Sequence, residues 1–260
     1  MHHRARKRFG QNFLHDQRVI DQIIQSINPV SGEHIVEIGP GKGALTEPLL
    51  QATGSLDVVE LDRDLIPILE NNLGTSGNLH IHNTDALKFD FGTLIKEKSK
   101  LRVVGNLPYN ISTPLIFHLL EFSEHITDMH FMLQKEVAER ICASPGGKSY
   151  GRLSVMVQIY CHADILFHVM PESFTPKPKV ESAIIRLTPY NKPVVDVTDK
   201  KQFAQLVTMA FSQRRKTIRN TLRNVLTIEE IEAAGVDPKL RAENLTLIDY
   251  SNLCLKLPDN

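Results

Sequence analysis

Through the first two thirds of the chain, apolar residues come in short runs. Each run gives way to a turn and then to apolar residues spaced by three and four. HIVEI at 34–38 ends in Gly39-Pro40-Gly41-Lys42-Gly43 and is followed by ALTEPLLQ. A run too short for a helix, a glycine turn and a 3.6-residue rhythm predict strand, tight turn and helix. The unit recurs: LDVVEL at 56–61 precedes a helical stretch from Asp62 to Leu73, LHIH follows at 79–82, and RVVGN at 102–106 leads into STPLIFHLLEF. Ser112 is placed to cap that last helix, with Pro114 in the first turn, where its missing N–H is harmless. Strands alternating with helices imply a mainly parallel sheet covered on both faces.

MHFMLQ at 129–134 is a further strand, followed by helical KEVAERI, a loop at Pro145 to Gly151 and a helix from Arg152 to about Tyr160. DILFHV at 164–169 and SAIIRL at 182–187 lie on either side of Phe174-Thr175-Pro176-Lys177-Pro178-Lys179 and predict an antiparallel hairpin at a sheet edge. Beyond Pro189 the rhythm changes. A polar stretch through Asp199 reads as a linker, and after it only helical periodicity remains, as in Phe203, Leu206, Val207 and Ala210, with a break at Gly235 to Pro238. The expected organisation is an α/β domain over 1–190 and a small all-helical domain over 195–260.

Composition narrows the classes. The three cysteines, Cys142, Cys161 and Cys254, are far apart and never form CxxC, so neither a disulfide framework nor a zinc site is expected, and a reducing, cytoplasmic setting is. No apolar run follows the first charges and none reaches about 18 residues, so neither secretion nor a membrane span is expected. Thirty basic and thirty acidic side chains give zero net charge, which taken whole argues against a nucleic-acid binder. The distribution reverses that. Lys200, Lys201, Arg214, Arg215, Lys216, Arg219 and Arg223 follow one another with no acid between them, and Arg4, Arg6, Lys7 and Arg8 open the chain. Either run alone reads equally as a solvated face. Two runs flanking an α/β domain point to phosphate binding.

The segment from Gly39 to Ala44 fits the GxGxG loop of methyltransferases and the GxGxxA loop of dinucleotide enzymes, and also a strand-to-helix turn with no ligand. Glu60, about 20 residues on, ends the second strand, where a carboxylate accepts from ribose hydroxyls. NAD and S-adenosyl-L-methionine both carry that ribose. Asp85 follows the third strand at the same rim and can accept from an adenine amine or cap a turn. Asp62 reads as the cap of the next helix.

Asn106-Leu107-Pro108-Tyr109, directly after the fourth strand, separates these readings. An adenine amine is a poor nucleophile because its lone pair is delocalised into the ring. If the Asn106 side-chain oxygen and the Leu107 carbonyl each accept one amine hydrogen, the nitrogen is oriented and its lone pair becomes available. Pro108 stiffens the turn, and Tyr109 can stack on an extracted base. Transfer is then an in-line displacement driven by positioning, without metal or covalent intermediate. A turn in which Pro108 ends the strand and Tyr109 packs is the bland alternative.

Asn-Leu-Pro-Tyr at this place resembles the motif of the RNA adenine-N6 dimethyltransferases. QNFLHD at 11–16, EIGPGKGALT at 37–46, ELDRD at 60–64, GNLPYNIS at 105–112, YGRLSV at 150–155, FTPKPKV at 174–180 and QRRKTIRN at 213–220 resemble that family in the same order, across nearly the whole chain. The last two are most similar to its bacterial small-subunit rRNA branch. The resemblance implies a Rossmann-like class I methyltransferase fold with a seven-stranded, mainly parallel sheet and a terminal antiparallel hairpin. It implies N6,N6-dimethylation of two adjacent adenosines in a hairpin near the 3′ end of small-subunit rRNA, within an immature subunit, releasing S-adenosyl-L-homocysteine; a monomer is the simplest expectation. Asn12 and Leu14 would close the cofactor site, Gly39 would meet the methionine part, Glu60 the ribose and Asp85 the adenine. Asn106 would stand between cofactor and base, with Phe174 flanking the base opposite Tyr109 or anchoring the proline-rich loop. Arg214, Arg215, Lys216 and Arg219 would hold phosphates.

Three other readings remain. A dinucleotide dehydrogenase leaves Asn106 to Tyr109 and the basic tail without a role. The large-subunit adenine methyltransferases of antibiotic resistance share a similar motif but match less well at FTPKPKV and QRRKTIRN. An assembly factor that chiefly binds immature subunits is compatible with the enzyme reading. His80 and His82 share one strand face without an evident carboxylate partner, so no metal is expected. Lys42 puts a charge in the glycine loop that the spacing does not orient.

Overall fold

The computed structural model describes residues 11–74, 76–95, 99–197 and 199–258, so Arg4, Arg6, Lys7 and Arg8 lie outside the described residues. The chain divides into two compact units. The first runs to Ala138 and includes Asp164–Pro189, and the second comprises Glu139–Ala163 and everything from Tyr190.

The first unit opens with β1 (Phe13–Leu14) and α1 (Gln17–Ile27). Asp16 caps α1, accepting from the Arg18 N–H at 3.1 Å, and Ile20, Ile23 and Ile27 form its buried stripe. Then come β2 (His34–Ile38), α2 (Thr46–Thr53), β3 (Ser55–Val59), α3 (Ile66–Leu73), β4 (Asn78–His82), β5 (Leu101–Asn106), α4 (Ser112–Leu120) and β6 (Ile126–Gln134). After α5 (Lys135–Ile141) and α6 (Arg152–Gln158), β7 (Cys161–Val169), β8 (Phe174–Thr175) and β9 (Ser182–Pro189) complete the strands. The unit boundaries fall inside α5 and β7.

Seven strands form one sheet in the order β4-β3-β2-β5-β6-β9-β7. The pairs from β4 through β6 are parallel and β9 is antiparallel to β6. This is the Rossmann-like methyltransferase architecture expected. Ile38 stands opposite both Val59 and Gly105, so the carboxyl ends of β2, β3 and β5 reach one rim. The strand order also reverses at β2, the crevice where open α/β sheets hold ligands. Ile23, Ile27, Ile35, Leu49, Leu50, Val58 and Leu69 belong to one core cluster beneath that rim.

Two local expectations are corrected. The cap of α4 is Ile111 rather than Ser112, whose hydroxyl instead donates to the Tyr109 carbonyl at 3.3 Å. Asp62 does not start α3, which begins four residues later. Its carboxylate accepts from Asp64 N at 3.3 Å and from Gln11 Nε2 at 3.0 Å, so a loop partner takes the oxygen a helix would have used.

In the second unit, α7 (Lys200–Ala210) packs against α6 and α10 (Leu247–Cys254), with α8 (Ile218–Thr221) and α9 (Ile228–Ala233) between α7 and α10 in sequence. Thr227 with Glu230 and Thr246 with Asp249 form capping boxes that start α9 and α10. Tyr250 is fully buried, stacks on Phe211 and donates its hydroxyl to the Ala242 carbonyl at 2.6 Å. The sequence texture put the division near residue 190, but the unit also takes in α6. The spacing of α6 marks a buried face without saying which core receives it.

Candidate active site

A cavity of about 450 Å³ opens in the first unit at the carboxyl rim of the parallel strands. Asn12, Leu14, Gly39, Glu60, Asp85, Asn106, Leu107, Pro108 and Tyr109 all line it. These nine, from Asn12 to Tyr109, are thereby brought to one space although far apart in sequence.

The glycine loop turns from β2 toward α2 with Gly41 at φ +60°, and a Cβ there would lie 3.1 Å from the Phe13 ring. Only glycine fits both the left-handed backbone and the close ring. The Gly41 N–H donates to Glu60 Oε2 at 3.3 Å, and the Asp62 N–H donates to Glu60 Oε1 at 2.7 Å. Glu60 is 6% exposed, and burial raises its pKa against those two backbone bonds. Asp85 has both anticipated characters: it lines the cavity, and its Oδ1 accepts from Leu87 N at 3.0 Å as a turn cap. The Lys42 ammonium lies 4.8 Å from the centroid of the Phe13 ring, so the loop charge rests on the residue that covers the loop.

After β5 the chain turns sharply. A Cβ on Gly105 would come within 2.7 Å of the Ile38 carbonyl, so glycine lets β5 run close to β2 just before Asn106. Asn106 Nδ2 donates to the Asn12 carbonyl at 3.0 Å. The Leu107 N–H donates to the Met132 carbonyl at 3.2 Å, and the Pro108 and Tyr109 carbonyls accept from Ile111 N and Ser112 Oγ. These bonds leave the Asn106 Oδ1 and the Leu107 carbonyl as acceptors of the turn. The Tyr109 phenol shares a 2.8 Å hydrogen bond with Ser182 Oγ, and burial raises its pKa.

Phe174 is not brought to the cavity. It is 3% exposed in the core cluster, and in β8 it stands opposite Leu14 while Thr175 lines the cavity. Its partner Leu14 belongs to the same core cluster and also lines the cavity.

Sequence reasoning missed Glu37. Its carboxyl is buried, lines the cavity and accepts from Thr46 Oγ1 at 2.6 Å. Burial pushes its pKa up to about 8; the Thr46 bond works against this and the Glu60 charge adds to it. A lone acid within the apolar run HIVEI was the available signal. The expected lack of a carboxylate near His82 is also corrected: on adjacent strands, Asp57 accepts from His82 at 2.7 Å and from His34 at 2.9 Å. No group of three or more metal-binding side chains occurs among the described residues.

In the second unit, Arg215, Lys216, Arg219 and Arg223 are exposed. Arg214 bonds to Glu243 and to the Lys148 carbonyl.

The family described as ribosomal RNA adenine dimethylase has a sequence model that matches residues 2–257. The chain is 57% identical over 261 residues to a protein of Pseudomonas aeruginosa named ribosomal RNA small subunit methyltransferase A, covering 99% of this chain and 97% of that one. A protein of the same name from Saccharophagus degradans is 58% identical over 251 residues, covering 96% and 94%. Among solved structures, a dimethyladenosine transferase from Plasmodium falciparum is similar with a TM-score of 0.81 at 27% identity, covering 94% and 96% of the two chains. The 23S rRNA methyltransferase ErmE has a TM-score of 0.76 at 24% identity, covering 95% and 99%, a likeness of fold. The chain belongs to the ribosomal RNA adenine dimethylase family.

Proposed function

We propose that this chain transfers methyl groups from S-adenosyl-L-methionine to N6 of two adjacent adenosines in a hairpin near the 3′ end of small-subunit rRNA. Each becomes N6,N6-dimethyladenosine, and S-adenosyl-L-homocysteine is released. The observation that carries this reading is the single cavity lined by Gly39, Glu60 and Asp85 together with Asn106 and Tyr109. Its volume lies in the range of small-molecule sites, about 300–1,000 Å³. The donor set fits the cofactor: Glu60 suits ribose hydroxyls, Asp85 suits the adenine amine, and the glycine loop admits close approach. The full-length identity to relatives named for the small subunit supports that branch over the large-subunit one.

S-adenosyl-L-methionine supplies a methyl group on a positively charged sulfur. In the first transfer Asn106 Oδ1 and the Leu107 carbonyl accept hydrogen bonds from the two amine hydrogens and aim the nitrogen lone pair, and the nitrogen loses one proton for each methyl group it gains. Tyr109 offers its ring to the displaced base. The residues supply geometry, and positioning of this kind can contribute about 7–11 kcal/mol to lowering a barrier. Exposed Arg215, Lys216, Arg219 and Arg223, with Arg4, Arg6, Lys7 and Arg8, bind phosphates and fix register. We assign the protein to the cytoplasm as a monomer acting on immature small subunits, with residues 1–190 for catalysis and 195–260 for RNA binding.

Naked small-subunit rRNA, large-subunit rRNA and immature small subunits, each incubated with labelled cofactor and digested to nucleosides, test this. Dimethyladenosine from small-subunit material alone is expected. Product from large-subunit RNA would overturn the branch assignment. If binding to the immature subunit were the chief role, Asn106→Ala would still support assembly without methylating.

A further inference from the structure

Tyr109 and Ser182 are 73 residues apart in sequence, yet their hydroxyls meet at 2.8 Å. Ser182 is 0% exposed and is the first residue of β9, opposite Gln134, the last residue of β6. The step beyond this pair is braced twice: Lys135 N–H donates to the Glu181 carbonyl at 3.0 Å, and Lys135 Nζ lies 2.8 Å from Glu181 Oε2. The serine hydroxyl is thus a fixed point of the sheet, whereas Tyr109 sits in the turn after β5. A tyrosine ring has two soft torsions, and holding its far end restricts both. The half-buried ring stays on the cavity wall while its phenol is tied behind it.

We propose that Ser182 is a positioning residue for methyl transfer, holding the Tyr109 phenol so that the ring stands ready as the platform for the target base. This rests on the adenine-methylating reading of the cavity. The hydroxyl takes no part in bond making. A base that leaves its stack loses neighbours on both faces, and a preset ring replaces one of them without ordering a side chain at that moment. The tie links base placement to the β6–β9 pair, outside the glycine loop and its acidic partners.

The test compares the full-length protein with Ser182→Ala, Tyr109→Phe and the double variant. Tyr109→Phe keeps the ring and leaves Ser182 in place, so it covers a folding defect in Ser182→Ala. Two readouts are used: single-turnover methyl transfer to small-subunit material, and fluorescence of a target-site hairpin carrying 2-aminopurine in place of the target adenine. Both single variants should lose about tenfold in transfer rate, an effect of misplacement, with unchanged affinity for S-adenosyl-L-homocysteine. The double variant should be no slower than either single one, because both remove the same bond. Ser182→Thr should restore the rate, and the stacking signal should weaken in both single variants and in the double variant but not in Ser182→Thr.

Wild-type rates and signals in Ser182→Ala and Tyr109→Phe, or additive losses in the double variant, would overturn the proposal. If the wild type makes no dimethyladenosine, the function reading fails; a stacking signal that still depends on Ser182 would then leave the anchor standing. Neither product nor signal in the wild type would overturn both.

Discussion

Asn106 Nδ2 donates to the backbone carbonyl of Asn12 at 3.0 Å across 94 residues of sequence. An amide has a donating and an accepting end, and this bond commits the donating one. Oδ1 is therefore the end left for a substrate amine in the proposed mechanism. Asn12 adjoins β1, which is paired with β8, so the orientation of the amide depends on the β1–β8 pair, whose Phe13, Leu14 and Thr175 line the cavity. Asn106→Ala should lower the single-turnover rate by about 100- to 1,000-fold, the scale seen when one placed polar group is removed from a transition state. Calorimetry with S-adenosyl-L-homocysteine should show nearly unchanged affinity. Full activity in this variant would remove the lone-pair mechanism.

Glu60 joins the glycine loop to the turn after β3 through Gly41 N and Asp62 N. Glu60→Ala removes the proposed ribose acceptor and frees both donors. A hydrogen bond to a charged group contributes about 1.5–3 kcal/mol, so S-adenosyl-L-homocysteine should bind roughly 10- to 150-fold more weakly. A parallel titration of the wild type with NAD should give no binding heat; heat in that arm would revive the dinucleotide reading.

Glu37 carries a proton in the fold well above the usual carboxylate range, with a pKa pushed up to about 8 by burial, against an ordinary 4.5. Between those values the folded state holds more protons than the unfolded one, so rising pH favours unfolding. The stabilising contribution of the protonated acid is complete below pH 4.5 and is lost as pH rises through about 8. Glu37→Gln cannot ionise and can keep an acceptor for Thr46. Urea midpoints should therefore move in favour of the glutamine variant as pH goes from 5 to 9. Parallel midpoints across that range would mean that Glu37 is ionised in the fold.

Arg215, Lys216 and Arg219 are exposed, whereas Arg214 also bonds to Glu243 and Lys148. Replacing the first three by alanine should weaken RNA binding similarly for all sequences. It should also reduce the slope of log affinity against log salt by about 2 to 3, near 0.7–0.9 per lost phosphate contact. An unchanged slope would show that this face does not meet phosphate.

The strands of the sheet were legible because each apolar run is short and bounded: HIVEI coincides with β2, and SAIIRL lies within β9. Glu60, Asp85 and Asn106 were legible for a related reason, since polar residues at strand ends collect at one rim once the sheet is parallel. Phe13–Leu14 against Phe174–Thr175 was not legible as a sheet, because two-residue strands have no period and their pairing is fixed by distant chain. Glu37 was hidden by its own strand, which reads as apolar, and Ser182 by being an ordinary strand serine. Local sequence contains neither the bond across β8 nor the one to Tyr109. Phe174 was legible only as an alternative, flanking the base or anchoring the proline-rich loop, and its packing in the core cluster depends on distant chain.

The pairing of β1 with β8 also has a consequence for the order of manufacture. This pair at the cavity wall is held by Leu14 opposite Phe174 and by Ser173 Oγ donating to Asp16 Oδ2 at 3.2 Å, a contact spanning 157 residues. A nascent chain with every strand through β6 lacks the other half of this clasp until residue 175 emerges. A half-synthesised copy can thus carry the glycine loop and the Asn106 turn and still lack the Thr175 side of the cavity wall.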